Sequence, residues 1–182
     1  MKKITTPIKK EDLEDLDVGD TIYLSGEIVT ARDKAHKRII EYANVGEQLP
    51  FTLDGGVIYH TGPLTRKNPD DSWNILSAGP TTSARMNDFT PRVIEEYKVR
   101  AIIGKGGMSD EVVKAMEDFG CVYLAYTGGA GALAADKIKK VLGVYWLDLS
   151  APEAVWQLQV GDFGPLIVAI DSHGGNLYKR GR

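Results

Sequence analysis

The chain has 182 residues, an ordinary globular composition and a formal net charge of −3. That is length enough for a domain with a buried core, and the charge gives no electrostatic reason to expect nucleic acid or an anionic membrane surface as a partner. Cys121 is the only cysteine, which excludes an internal disulfide and a multi-cysteine metal site and agrees with a reducing cytoplasm.

No apolar stretch is long enough to span a bilayer, and the N-terminal lysines precede no apolar signal core. Residues 1–20 are polar and charged, with one helical turn expected around Glu11–Asp17 and a turn at Val18-Gly-Asp20. The β-rich run Thr21–Val29 predicts a strand. Asp33–Asn44 predicts a helix with Asp33 as its cap, because Ala35, Ile39, Ile40 and Ala43 recur at helical spacing. Gly55–Pro63 reads as a strand that ends in a Gly-Pro turn, and Thr65–Ser72 as a loop.

Ser77–Asp88 follows the short apolar run Trp73–Leu76 and precedes a helix expected at 91–97, with Thr90 as N-cap and Pro91 at the first helical position. From there helices and strands alternate. Strands are expected at 99–103, 121–126, 144–148 and 166–171. Helices are expected at 110–119 and 132–141, with a short one from Pro152. Such alternation implies right-handed βαβ units, hence an α/β fold with a mostly parallel sheet flanked by helices. No linker divides the chain, so residues 1–182 read as one domain.

Ligands of open α/β sheets bind beyond the carboxyl ends of the strands. Three loops are expected there: 77–88, 104–109 and 127–131. In the first, Gly79-Pro80 forces a turn, Thr81, Thr82 and Ser83 offer hydroxyls, and Arg85 adds a planar five-donor cation. In the second, Lys105 stands among Gly104, Gly106 and Gly107, which leave backbone N–H groups open to an anion; a solvated turn lysine is the other reading. Arg32 opens the first helix, placed either to meet a carboxylate or to pair with a neighbouring acid. His60 ends a strand and faces the same cleft or serves the structure; for His36 a structural role is favoured. Gly129-Ala-Gly-Ala-Leu-Ala134 has the form G-x-G-x-x-A, with Asp148 ~20 residues on, the dinucleotide-binding pattern. Small residues that pack a helix on a sheet have the same form. Gly104-Lys105 lacks the other residues of a P-loop. Arg32, Thr81, Arg85 and Lys105 together suit a small dicarboxylate, but no general acid and no metal ligand set accompany them.

Six ordered blocks carry a resemblance: Ala31–Arg38, His60-Thr-Gly-Pro63, Ser77–Met86, Ile103–Met108, Tyr126–Ala132 and Ile170–Gly174. Over nearly its whole length the chain resembles the beta subunit of the iron–sulfur (class I) fumarate hydratases and L-tartrate dehydratases. The resemblance implies a swivelling β/β/α domain that works with an alpha subunit, in an α2β2 assembly, and that the alpha subunit holds the [4Fe–4S] cluster through its own cysteines. It implies reversible hydration of fumarate to (S)-malate, or dehydration of L-tartrate. It implies Thr81 as the base and Arg32, Arg85 and Lys105 as carboxylate ligands; His60 and Thr82 are further candidates for the site. A stand-alone nucleotide-binding module built on Gly129–Ala134 is the alternative from another class.

Overall fold

The computed structural model describes residues 1–126 and 131–179. The elements run β1 (Lys2–Thr5), β2 (Thr21–Thr30), α1 (Asp33–Val45), β3 (Val57–Tyr59), β4 (Leu64–Lys67), β5 (Trp73–Ser77), α2 (Thr90–Tyr97), β6 (Ala101–Gly104), α3 (Asp110–Phe119), β7 (Val122–Ala125), α4 (Gly131–Asp136), β8 (Ile138–Tyr145) and β9 (Val155–Ile170). Strands β2, β3, β6 and β7 lie side by side and parallel. The long β9 runs antiparallel between β7 and β2 and closes them into a ring. β1 pairs in parallel with the first half of β2, and β8 in antiparallel with the first half of β9.

Strand alternation sends one set of side chains into the ring and the other outward. Ile22, Leu24, Val57, Tyr59, Ile103, Leu124, Trp156 and Phe163 share the inner core. Outward-facing Val29, Ile58, Ile102 and Tyr123 meet a second core, built with Ala35 and Ile39 of α1, Val93 and Ile94 of α2, and Val112 and Met116 of α3. Ser109 caps α3, its side chain accepting from Val112 N, and Gly120 ends that helix in the left-handed region.

The sheet is mixed, not mostly parallel, and the reason lies in the last third of the chain. Where a helix was expected at 132–141, α4 stops at Asp136 and β8 begins. Ile138, Val141 and Val144 are spaced like a helical stripe, yet all three pack on the inner core from a strand. Register shifts at 138–140 and 141–143 insert the extra residues, so bulges bring every third side chain to one face. No helix starts at Pro152. β9 already begins at Val155 and passes through Gly161, Asp162, Gly164 and Pro165, turn formers that hid most of its length. The expected loop 65–72 is largely a β-hairpin, β4–β5, seated by Trp73 edge-on to Trp156 at 5.0 Å between ring centroids. At α2, Thr90 is the first helical residue rather than the cap, and its hydroxyl donates back to Met86 O. Among the described residues, no helix is long and apolar enough to cross a membrane.

Trp156 fills the inner core, donates its indole N–H to Ala151 O and anchors the hairpin. Trp156→Ala is expected to lower stability by about 3–5 kcal/mol, read as a lower urea midpoint; a loss below 1 kcal/mol would contradict this packing.

Candidate functional site

The carboxyl ends of β2, β3 and β6 point to one rim of the ring, and the chain brings four segments there. Arg32 and the first turn of α1 follow β2. His60-Thr61-Gly62 follow β3, and Gly104-Lys105 end β6. Between the last two lies the segment 78–83, fastened at almost every residue. Ala78 N donates to Gly131 O, and Ala78 O accepts from the Tyr59 hydroxyl. Thr61 Oγ1 donates to Gly79 O at 2.6 Å, and Thr81 N to His60 O at 2.8 Å. Ser83 N donates to Lys105 O at 3.1 Å, alongside a parallel bridge between Thr82 and Lys105. Thr81 is thereby half-buried and Thr82 exposed, above a backbone with little freedom.

Two glycines of the motifs prove to be seats. A Cβ on Gly62 would collide with the Arg32 side chain, and one on Gly104 with Ser83 Oγ. Gly104 is therefore a strand residue that makes room for a serine. The freely turning position of its loop is Gly106, at φ +76° with open space around it.

The cations are held unequally. Arg85, on a 3₁₀ turn over Ser83–Met86, donates from Nη2 to Asp33 Oδ2 at 2.6 Å. With side chains 49% and 34% exposed, the pair is worth no more than about 1 kcal/mol and is open to exchange. Arg32 Nε lies 3.7 Å from Glu153 Oε1, whose other oxygen accepts from Lys34 N at 3.2 Å in the first turn of α1. So Arg32 pairs with an acid distant in sequence, and it is the N-cap residue; Asp33, expected as cap, is the first helical residue. Lys105 is exposed and has no carboxylate partner among the described residues.

Behind this rim sit two fully buried histidines, their ring centroids 5.2 Å apart and edge-on. His36 bonds through Nδ1 to Arg32 O, and His60 through Nδ1 to Ser83 Oγ, each at 2.8 Å. Burial pushes His36 down to about 4, against the opposing pull of Arg32 O and Asp33. Burial, then the neighbouring His36, holds His60 well below the usual histidine range. Among the described residues, the buried side-chain N and O atoms without a hydrogen-bond partner are Arg32 Nε, Asp33 Oδ1, His36 Nε2 and His60 Nε2. All four come from the segments of this rim. Unsatisfied buried groups are rare and costly, and their clustering here marks a place tuned for something other than stability.

Thus Arg32, Thr81, Thr82, Arg85 and Lys105 meet at one rim, with His60 in its wall rather than at its surface. Asp33, Glu153, Ser83 and Tyr123 join them. Their roles leave no mark in the sequence, because nothing in sequence spacing pairs residue 85 with 33 or 32 with 153. A cavity of about 650 Å³ lies elsewhere, at the amino end of β3, lined by Thr6, Glu27, Gly56 and Gln157 among others and by none of the candidate residues. Most of the second glycine loop, residues 127–130, lies outside the described residues, and with it the start of the G-x-G-x-x-A segment. Its acid follows β8, which is antiparallel to β9, and not a parallel strand. Asp148 sits in a 3₁₀ turn and takes both guanidinium nitrogens of Arg38, at 2.9 and 2.7 Å. Cys121 is buried at the foot of β7, where desolvation pushes its thiol pKa up. This chain alone offers no thiolate set for an iron–sulfur cluster, and the described residues hold no group of three or more His, Cys, Asp or Glu placed for a metal.

Residues 2–181 match the family model described as Fumarase C-terminus. A Methanocaldococcus jannaschii protein provisionally named L(+)-tartrate dehydratase subunit beta is 53% identical over 173 residues, 94% of this chain and 88% of its own length. The L(+)-tartrate dehydratase subunit beta of Escherichia coli is 46% identical over 178 residues, covering 97% and 87%. A Geobacillus stearothermophilus protein provisionally named fumarate hydratase class I is 38% identical over 176 residues, 97% of this chain but 33% of that longer protein.

The neutral histidines carry a pH signature. An unfolded chain binds a proton at each near pH 6.5, whereas folded His36 does so only near pH 4. Their contribution to stability is complete above pH 6.5 and declines as pH falls toward 4, by up to about 1.4 kcal/mol per pH unit for each. Urea unfolding at pH 7 and pH 5 is expected to show the loss, and His36→Gln to flatten the slope by about one proton; equal stability at both pH values would refute it.

Proposed function

The chain belongs to the Fumarase C-terminus family, and on that footing we propose that it is the beta-type subunit of a hydro-lyase that adds water to fumarate to give (S)-malate. The observation that carries this reading is the rim itself. Arg32, Arg85 and Lys105 stand around the fastened loop of Thr81, and two of them are matched to single carboxylates, Asp33 and Glu153. A dicarboxylate substrate has the chemistry to take over those contacts, with Lys105, which has no carboxylate partner among the described residues, as the third cation.

In this reading Arg32, Arg85 and Lys105 hold the carboxylate oxygens, and Thr81 handles the proton at the neighbouring carbon. A threonine hydroxyl is a weak base at neutral pH. Nearby cations favour its alkoxide, and a fixed loop keeps it in line with the carbon. Thr82 lies one residue on, exposed, and His60 braces the loop from behind. The [4Fe–4S] cluster of this family does not fit the chain, whose one cysteine is buried in the core, so we assign it to an alpha-type partner. That partner corresponds to the two thirds of the single-chain relative that this chain does not cover. The ring is then the swivelling β/β/α domain, residues 1–182, of an α2β2 enzyme of the cytoplasm. A second reading, dehydration of L-tartrate, is favoured by the names of the relatives at 46% and 53% identity. L-Tartrate carries one more hydroxyl than malate.

The test is anaerobic co-expression with an alpha-type subunit and assays on fumarate, (S)-malate and L-tartrate. Turnover of fumarate and malate is expected from the assembly and none from this chain alone. Turnover of tartrate instead selects the second reading, and turnover of none of the three overturns both. In the active assembly Lys105→Met is expected to cost roughly 2–5 kcal/mol in kcat/KM. Thr81→Val is expected to slow proton exchange at the substrate carbon ~10²–10⁴-fold, with KM changed far less. Normal exchange with weakened binding would make Thr81 a carboxylate ligand and not the base.

A further inference from the structure

The buried groups beneath the rim have a definite proton order. Tyr123 OH donates to Ser83 Oγ at 2.9 Å, and Ser83 Oγ lies 2.8 Å from His60 Nδ1. All three residues are fully buried. If the tyrosine proton points to Ser83, the serine proton is free to go to His60 Nδ1, and only the ring N–H at Nε2 lacks a partner. Reversing the chain strands both the tyrosine proton and the Nε2 lone pair. Each unsatisfied buried group is costly, so the order Tyr123 to Ser83 to His60 holds, with His60 neutral and protonated at Nε2.

Ser83 is thus bonded to one strand and to the residues that follow two others. Its hydroxyl joins Tyr123 of β7 and His60 beyond β3, and its N–H joins Lys105 O beyond β6. The same histidine holds Thr81 through its carbonyl. Gly104 has no Cβ because the serine oxygen occupies that place.

We infer that Ser83 is a positioning residue: its buried hydroxyl, ordered by Tyr123 and His60, fixes Thr81 relative to Lys105. It touches no substrate. Its removal leaves the tyrosine and the histidine without partners and opens a void against Gly104, so the Thr81 segment shifts or loosens. A shift of an ångström costs a positioned reaction far more than it costs binding by long, flexible cations.

The kinetic part of the test rests on the hydro-lyase reading; the exchange part does not. In the assembled enzyme, Ser83→Ala is expected to lower kcat about 10- to 100-fold with KM within about 3-fold. His60→Asn, which sets an amide oxygen where Nδ1 accepts, is expected to keep kcat within about 5-fold, and His60→Leu to match Ser83→Ala. The double variant Ser83→Ala/His60→Leu is expected to be no slower than the worse single variant, since both break one chain. Wild-type kcat in Ser83→Ala, a KM effect alone, or multiplied losses in the double variant would each overturn the assignment.

In the isolated chain, hydrogen exchange of the Thr81 and Ser83 amides is expected to quicken about 10-fold or more in Ser83→Ala, while that of Ile102 stays unchanged. An unchanged Thr81 amide overturns the assignment whatever the substrate. Should Ser83→Ala fail to fold, Tyr123→Phe removes one oxygen from the same chain and is read by the same amides, with the same outcome required. A wild-type assembly that turns over no substrate defeats the hydro-lyase reading and leaves Ser83 to be decided by exchange alone.

Discussion

The pairing of β2 with β9 is the constraint on which the rest depends. β9 runs against β2 from Thr21 to Val29 and against β7 from Tyr123 to Ala125. Without it the four parallel strands would form an open sheet with two edges and one uncovered face. Closure gives the inner side chains of the strands one shared buried core. It also leaves the outer face of β3, β6 and β7 for the helices. And it gathers the carboxyl ends of the parallel strands around one rim, so loops far apart in sequence become neighbours with little help from their own composition.

At that rim two kinds of polar group are treated differently. The backbone of residues 78–83 is fastened by hydrogen bonds at Ala78, Gly79, Thr81 and Ser83. The side chains behind it are less well served: two ring nitrogens, one guanidinium nitrogen and one carboxylate oxygen lack hydrogen-bond partners. A rigid frame carrying unsatisfied charge and dipole is what preorganisation requires, because such groups respond to a ligand's charge without first reorganising. The ion pairs fit the same division. Asp33 and Glu153 keep two guanidiniums at the rim and oriented, and the half-exposed Arg85–Asp33 pair is shallow enough to be exchanged for a ligand's oxygens.

Much of this was legible in the sequence. The strand at 21–29, the helix at 33–44 and the loop from Ser77 announced themselves by alternation, helical spacing and Gly-Pro, and Thr81, Arg85 and Lys105 stand on the loops that were expected to carry chemistry. Three things were hidden. Bulges gave β8 a three-residue spacing that mimics a helix. Gly161, Gly164 and Pro165 disguised the middle of β9 as turns, so the closing strand, and the mixed sheet that follows from it, went unseen. The counter-ions and Ser83 were invisible because their roles are set by partners 23 to 121 residues away, counted from His60 to Ser83 and from Arg32 to Glu153. Local pattern carries no information about such contacts.

The contact of Ser83 with Gly104 also bears on how this protein can change over evolutionary time. A side chain cannot be gained at 104 while the serine oxygen fills its space, and a smaller residue at 83 leaves two buried groups stranded while 104 stays bare. Each position is therefore harmful to alter alone. The pair can be exchanged only together, or in one order through a weakened intermediate. Lineages that keep the rim in use are held to the serine–glycine combination by the inaccessibility of the alternatives as much as by its own merit.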